Sequence, residues 1–205
     1  MAISEQQRQK KLAKKKQKRA NVTRSPAASN ASKMITATDY PVHECLIPTN
    51  LFEAGLGELV ITRKLPGDNI AIAAFVLDVF CLGIKEAMFR ALSEAEYQDL
   101  KNRFTENGAR EFRNVDPACG KQLLDGLVAY ANDLGFSPHK DYHTAKGMFG
   151  NLEADACGET FSYGKDGKPF YMKGPFENQV QARKIIETLS KKCGDDGFAY
   201  VVDED

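Results

Sequence analysis

The strongest apolar signal in the chain is Ile70 to Leu77, eight residues without a polar interruption. A run of that length predicts a strand covered on both faces. Upstream, Glu58 to Leu65 also reads as a strand, and Pro66-Gly67-Asp68-Asn69 supplies turn residues between the two. A central β-hairpin is therefore predicted. Asp39 to Ile47 reads as a further strand ahead of it, followed by a short helical turn at Asn50 to Ala54.

After the hairpin the period changes. Phe80, Ile84, Ala87, Met88 and Ala91 recur at helical intervals, which predicts a helix over Val79 to Leu92 that tolerates Gly83. Ser93 and Glu96 form a capping-box pattern for the next helix, with Tyr97, Leu100 and Phe104 on one side and Asn107-Gly108 as its stop. Asp116-Pro117 pairs a favoured cap with the residue best suited to a first helical position, ahead of Leu123, Leu124, Leu127, Val128 and Ala131. Gly135 ends that helix, and Ser137-Pro138 gives a second start signal for a short one closed by Gly150.

The remainder reads as a ββαβ unit. Strands at Thr160 to Tyr163 and Pro169 to Lys173 flank Gly164-Lys165-Asp166-Gly167; Glu177 to Cys193 is helical; Phe198 to Val202 is a strand. The predicted fold class is α+β: a central hairpin with several helices, then this C-terminal unit. The order of elements leaves open whether the body, 39–205, is one unit or two, at about 39–135 and 136–205.

Charge changes the picture at one place. The 205 residues carry 28 basic and 28 acidic side chains, yet residues 1–38 hold ten Lys or Arg and one Glu. A basic arm of net +9 thus precedes a body of net −9. The arm has too little apolar content to offset its ordering entropy, so it is expected to be disordered or transiently helical. Its lysines and arginine, Lys10, Lys11, Lys14, Lys15, Lys16, Lys18 and Arg19, are the candidate nucleic-acid contacts, because neutralising phosphates releases counterions. A solubilising tail docked on the acidic body is the plainer alternative.

The N-terminus lacks the apolar stretch of a secretory signal, and the longest apolar run is broken by Asp78, so no membrane span is expected. Five scattered cysteines without a C-x-x-C pair suggest neither a disulfide framework nor a standard zinc site, and a reducing cytoplasm is expected. Two stretches carry a resemblance. One is Val60-Ile61-Thr62-Arg63-Lys64 through Asp78-Val79-Phe80-Cys81-Leu82-Gly83-Ile84-Lys85. The other is Leu134-Gly135-Phe136-Ser137-Pro138-His139 with Phe149-Gly150 and Gly164-Lys165-Asp166-Gly167-Lys168-Pro169. Together they resemble an uncharacterised bacterial protein family with a lysine-rich N-terminus. The resemblance implies a bacterial cytoplasmic setting and transfers no catalytic residue.

Three places in the body invite chemistry. His139 and His143, four apart, would share a helical face and reach one metal ion, or act as general acid and base. A third ligand would have to come from Asp141, Asp155, Cys157 or His43; exposure on a first helical turn is the plainer reading. Asp78 is either a buried carboxylate of raised pKa or a helix N-cap. In the hairpin at Asp166-Gly167, Lys165 and Lys168 sit beside Phe161, Tyr163, Phe170 and Met172, a surface able to stack bases and neutralise phosphates. The same face could instead pack on the helix through Ala182, Ile185, Ile186 and Leu189. The leading expectation is non-catalytic binding of RNA, ribosome or DNA phosphates through the arm, with no cofactor. A metal-assisted hydrolase or nuclease at His139/His143 and a protein-interaction module are the alternatives.

Overall fold

The computed structural model describes residues 37–106 and 111–202. The expected disorder of the arm, the side chain of Phe104 and the stop at Asn107-Gly108 lie outside the described residues. The class is α+β. Strands β1 (Val42–Pro48), β2 (Leu56–Leu65), β3 (Asn69–Asp78), β4 (Gly83–Ser93) and β5 (Phe112–Asn114) form an antiparallel sheet in the order β4-β3-β2-β1-β5. A short helix α1 (Leu51–Ala54) links β1 to β2. The predicted hairpin is β2–β3, registered from Leu56↔Asp78 to Leu65↔Asn69.

The sheet is covered on both faces, as the unbroken run in β3 requires. Helix α2 (Glu94–Glu106) lays Tyr97 and Leu100 against Val60, Ile70 and Ile72. Its start is the Ser93/Glu96 box, with Ser93 N–H donating to Glu96 Oε2 at 2.8 Å. Helix α3 (Pro117–Asp133) covers the other face, capped by Asp116, whose carboxylate accepts from Ala118 N. Leu123, Leu124 and Leu127 enter the main core with Leu59, Phe75 and Leu77. Gly120 permits the close approach, since a Cβ there would stand 2.6 Å from Cys45 Sγ.

The helix expected over Val79 to Leu92 does not form. Residues 79–82 are a turn, and β4 follows as the third strand of a meander. Ala87 and Phe89 are buried in the main core, Met88 between them is half-buried, and Glu86 and Arg90 on either side are exposed. The pairing explains the misleading period. Val76 opposes Glu86 and Leu77 opposes Ile84, so Lys85 is an extra residue in the strand. This bulge shifts the alternation by one position and hides it.

The second start signal is also misplaced. Residues 136–139 are irregular, and helix α4 (Tyr142–Lys146) begins at Tyr142, running into a 3₁₀ turn at Gly147–Phe149. Of the expected C-terminal hairpin only its tip remains. Asp166 and Gly167 have φ of 53° and 80°, the type I′ turn that an Asp-Gly pair favours, and Lys165 and Lys168 are bonded across it. Residues 160–163 form no strand. Strand β6 (Phe170–Met172) instead pairs in parallel with β7 (Ala199–Val201) across helix α5 (Gln179–Cys193), giving a βαβ rather than a ββαβ unit.

The packing of that unit differs from expectation as well. Phe161, Tyr163, Phe170 and Met172 pack against the main core, and Tyr171, on the other side of β6, meets Ala182 and Leu189 of α5. Cys119 and Cys157 are joined in a disulfide, contrary to the reading of the cysteines, with Cα atoms 4.7 Å apart. The fold brings the start of α3 to the segment 154–157; no spacing motif announces that pairing. No helix among the described residues is long and apolar enough to cross a membrane.

Candidate functional site

The bulge in β4, the loop after α3 and one side of α5 enclose a groove of about 470 Å³. Its floor is apolar, from Leu82, Ile84, Phe136 and Ile185, and its polar positions include Lys85, His139, Glu177 and Lys184. Size and lining are those of a small-ligand site. In a regular strand Ile84 and Lys85 would point to opposite faces; the extra residue lets both line the same groove. The turn before them depends on Gly83, whose φ is 77° and whose Cβ would stand 2.6 Å from that of Ala131.

Lys85, Glu177 and His139 are each held from behind, whereas Lys184 is exposed. Lys85 Nζ lies 2.6 Å from Glu177 Oε1, and both side chains are largely withdrawn from solvent. Glu177 Oε2 accepts from Tyr171 Oη at 2.6 Å and from Gly174 N at 3.1 Å. Burial alone would raise the Glu177 pKa, but Lys85, Tyr171 and the Gly174 N–H outweigh it and hold the carboxylate below its ordinary value. The Tyr171 hydroxyl is pushed up, by burial first and then by the carboxylate it serves. His139 is set by its backbone, whose N–H donates to Ile84 O at 3.0 Å. Its Nδ1 accepts from Asp141 N at 3.3 Å and lies 3.9 Å from Asp141 Oδ2.

Behind the floor lies Asp78, the last residue of β3 and almost fully buried. Burial pushes its pKa up to about 6, against the opposing pull of backbone N–H groups and Lys85. Its Oδ1 accepts from Phe80 N at 3.1 Å and from Cys81 N at 2.9 Å. With no helix at 79, the cap chemistry expected of Asp78 serves the tight turn instead. Cys81 is wholly buried, its thiol pKa raised by burial, and it packs as a small apolar side chain.

The histidine pair does not assemble as expected. His139 precedes α4 and lines the groove, whereas His143 lies within α4 against Tyr142 and is not part of the lining. His139 and His143 therefore share no helical face. Among the described residues no three His, Cys, Asp or Glu side chains gather as a metal site would need. At the turn tip, Lys165 Nζ sits 4.6 Å from the Phe170 ring centroid, and Lys168 Nζ donates to Asp196 O at 3.2 Å. Phe161, Tyr163 and Phe170 are packed on the core rather than free to stack bases, which leaves these two lysines as the exposed part of that surface. Lys10, Lys11, Lys14, Lys15, Lys16, Lys18 and Arg19 lie outside the described residues.

Sequence reasoning missed Glu177 and Lys184 as site residues and gave Lys85 no groove to line. The ion pair joins positions 92 apart, and no local pattern marks it. One signal was present: Leu82, Ile84 and Lys85 belong to the first stretch that carried the family resemblance, and Gly135, Phe136, Ser137 and His139 to the second. The fold brings these two stretches face to face. Comparison with protein-family models, curated proteins and solved structures returns no match to the chain.

Proposed function

We propose that the protein binds RNA, the ribosome or DNA phosphates through its basic N-terminal arm, with the α+β body as anchor and without catalysis. The observation that supports this is the segregation of charge: net +9 in residues 1–38 against net −9 in the rest. Such a segment attracts polyanions regardless of sequence. The body holds the point where the arm joins it. The Arg63 guanidinium, almost fully buried, donates to the carbonyls of Thr38 and Tyr40 on one side and of Met148 and Phe149 on the other.

The test is a salt titration of RNA and duplex DNA binding by the full chain and by a chain lacking residues 1–36, which keeps the carbonyls that Arg63 holds. Log affinity of the full chain is expected to fall linearly with log salt, with a slope of about −0.9 per duplex phosphate neutralised. The shortened chain is expected to lose most of the affinity. Equal affinity at matched salt would refute the reading.

A protein partner is the second reading, favoured by one observation. Phe176, in the turn before α5, and Val180, in its first turn, are 96% and 78% exposed. Large apolar side chains left in solvent are a feature of contact surfaces. Capture of a partner that survives nuclease treatment and is lost in Phe176→Ser would support it.

A further inference from the structure

We propose that the groove between the β4 bulge, the 135–139 loop and α5 binds a small amphipathic anion, an apolar body carrying a carboxylate or phosphate head. The argument rests on which hydrogen-bonding capacity the protein leaves unused. The carboxylate, amide and imidazole acceptors along the wall are engaged. Both Glu177 oxygens are taken, by Lys85 on one side and by Tyr171 and Gly174 on the other. Gln181 Oε1 accepts from Asn178 N at 2.8 Å, and His139 Nδ1 accepts from Asp141 N.

Beside the Ser137 and Thr188 hydroxyls, which can both donate and accept, the remaining side-chain groups are donors. Among the described residues, Lys85 gives one N–H to Glu177 and no acceptor takes its other two. The His139 ring, through Nε2, the Lys184 ammonium and the Gln181 amide nitrogen complete the set. Glu177 is neutralised by Lys85, so Lys184 leaves the lining with net positive charge. Unpaired donors beside net positive charge are complementary to an anionic head. The floor of Leu82, Ile84, Phe136 and Ile185 offers no hydrogen bond from its side chains and suits a hydrocarbon body.

The bulge supplies the independent support. Inserting a residue costs a ladder pairing, and here its effect is to place an apolar and a cationic side chain next to each other on one wall. This site does not depend on the arm, which recognises polymers by charge alone.

Isothermal titration of the full chain with octanoate, octyl phosphate, octanol, octylamine and inorganic phosphate tests it. At least one octyl anion is expected to saturate at one per chain, and the better of the two identifies the head. Octanol, octylamine and inorganic phosphate are expected to bind at least tenfold more weakly. Lys184→Glu, at an exposed position on α5, is expected to weaken the anion at least tenfold with an unchanged melting transition, and His139→Gln several-fold. Hydrogen exchange should slow at 82–85 and 135–139 on binding. Saturation by neither anion, equal binding of octanol or octylamine, or full affinity in Lys184→Glu would overturn the proposal. Anions held only by the arm would give full affinity in Lys184→Glu, and loss of arm binding to RNA would leave the octyl titration unchanged.

Discussion

Lys85 Nζ lies 2.6 Å from Glu177 Oε1, joining the bulge of β4 to the turn that precedes α5. The carboxylate is also the acceptor for Tyr171 and Gly174, so one side chain fixes a strand, a helix start and the loop between them. Glu177→Gln is expected to destabilise the protein by about 2–3 kcal/mol, because the half-buried ammonium loses its counter-charge. The pair Lys85→Met with Glu177→Leu should cost less than the two single changes summed, as a double-mutant cycle in urea would show. Glu177 has a lowered folded pKa, so its contribution is full above its ordinary value of 4.5 and is lost as pH falls through the folded value.

Asp78 gives the opposite sign. Its folded pKa of about 6 exceeds the ordinary 3.8, so the group favours the fold below 3.8 and that contribution is lost as pH rises through about 6. Between pH 4.5 and 7.5 the loss amounts to about 2 kcal/mol. Asp78→Asn keeps an acceptor for Phe80 N and Cys81 N without the charge. Relative to wild type, it should gain about that amount across the window in urea denaturation at each pH. A difference independent of pH would mean that Asp78 is not held in the buried state described.

The Cys119–Cys157 bridge predicts three titratable thiols rather than five in unreduced, denatured protein, from Cys45, Cys81 and Cys193. It spans 38 residues, and closing a loop of that length in the unfolded chain is worth about 4 kcal/mol. Denaturation with and without reductant should show a loss approaching that figure.

Arg63 predicts a local effect. Its guanidinium answers carbonyls from two segments 85 or more residues away on one side and about 25 on the other. Arg63→Lys supplies a point charge in place of a planar fork and should cost about 2–4 kcal/mol. Amide exchange should rise at 38–40 and 148–150 before it rises in β3.

Much of the fold was legible because its signals are local. The boxes at Ser93/Glu96 and Asp116-Pro117, the apolar run of β3 and the Asp166-Gly167 turn each state their geometry within four to eight residues. Strand β4 was misread because one extra residue, Lys85, converts alternation into apparent helical spacing. His139 and His143 were placed on one helix because Ser137-Pro138 resembles a cap, although the helix starts at Tyr142. The groove was invisible for a different reason: its walls come from positions about 50 and 100 residues apart, and only packing brings Lys85 to His139 and Glu177.

The turn at 79–80 has a consequence for the order in which the molecule assembles. Its carbonyls are taken from far along the chain, Val79 O by Gly164 N and Phe80 O by Phe170 N and Tyr130 Oη. The meander β2–β3–β4 closes through neighbouring residues and can form as soon as β4 has left the ribosome. The tip of that meander then lacks its Gly164 and Phe170 partners until more than seventy further residues have been made. The groove wall beside it is completed by the same late segment. A nascent or truncated chain ending before Phe170 therefore carries a formed sheet whose ligand site does not yet exist.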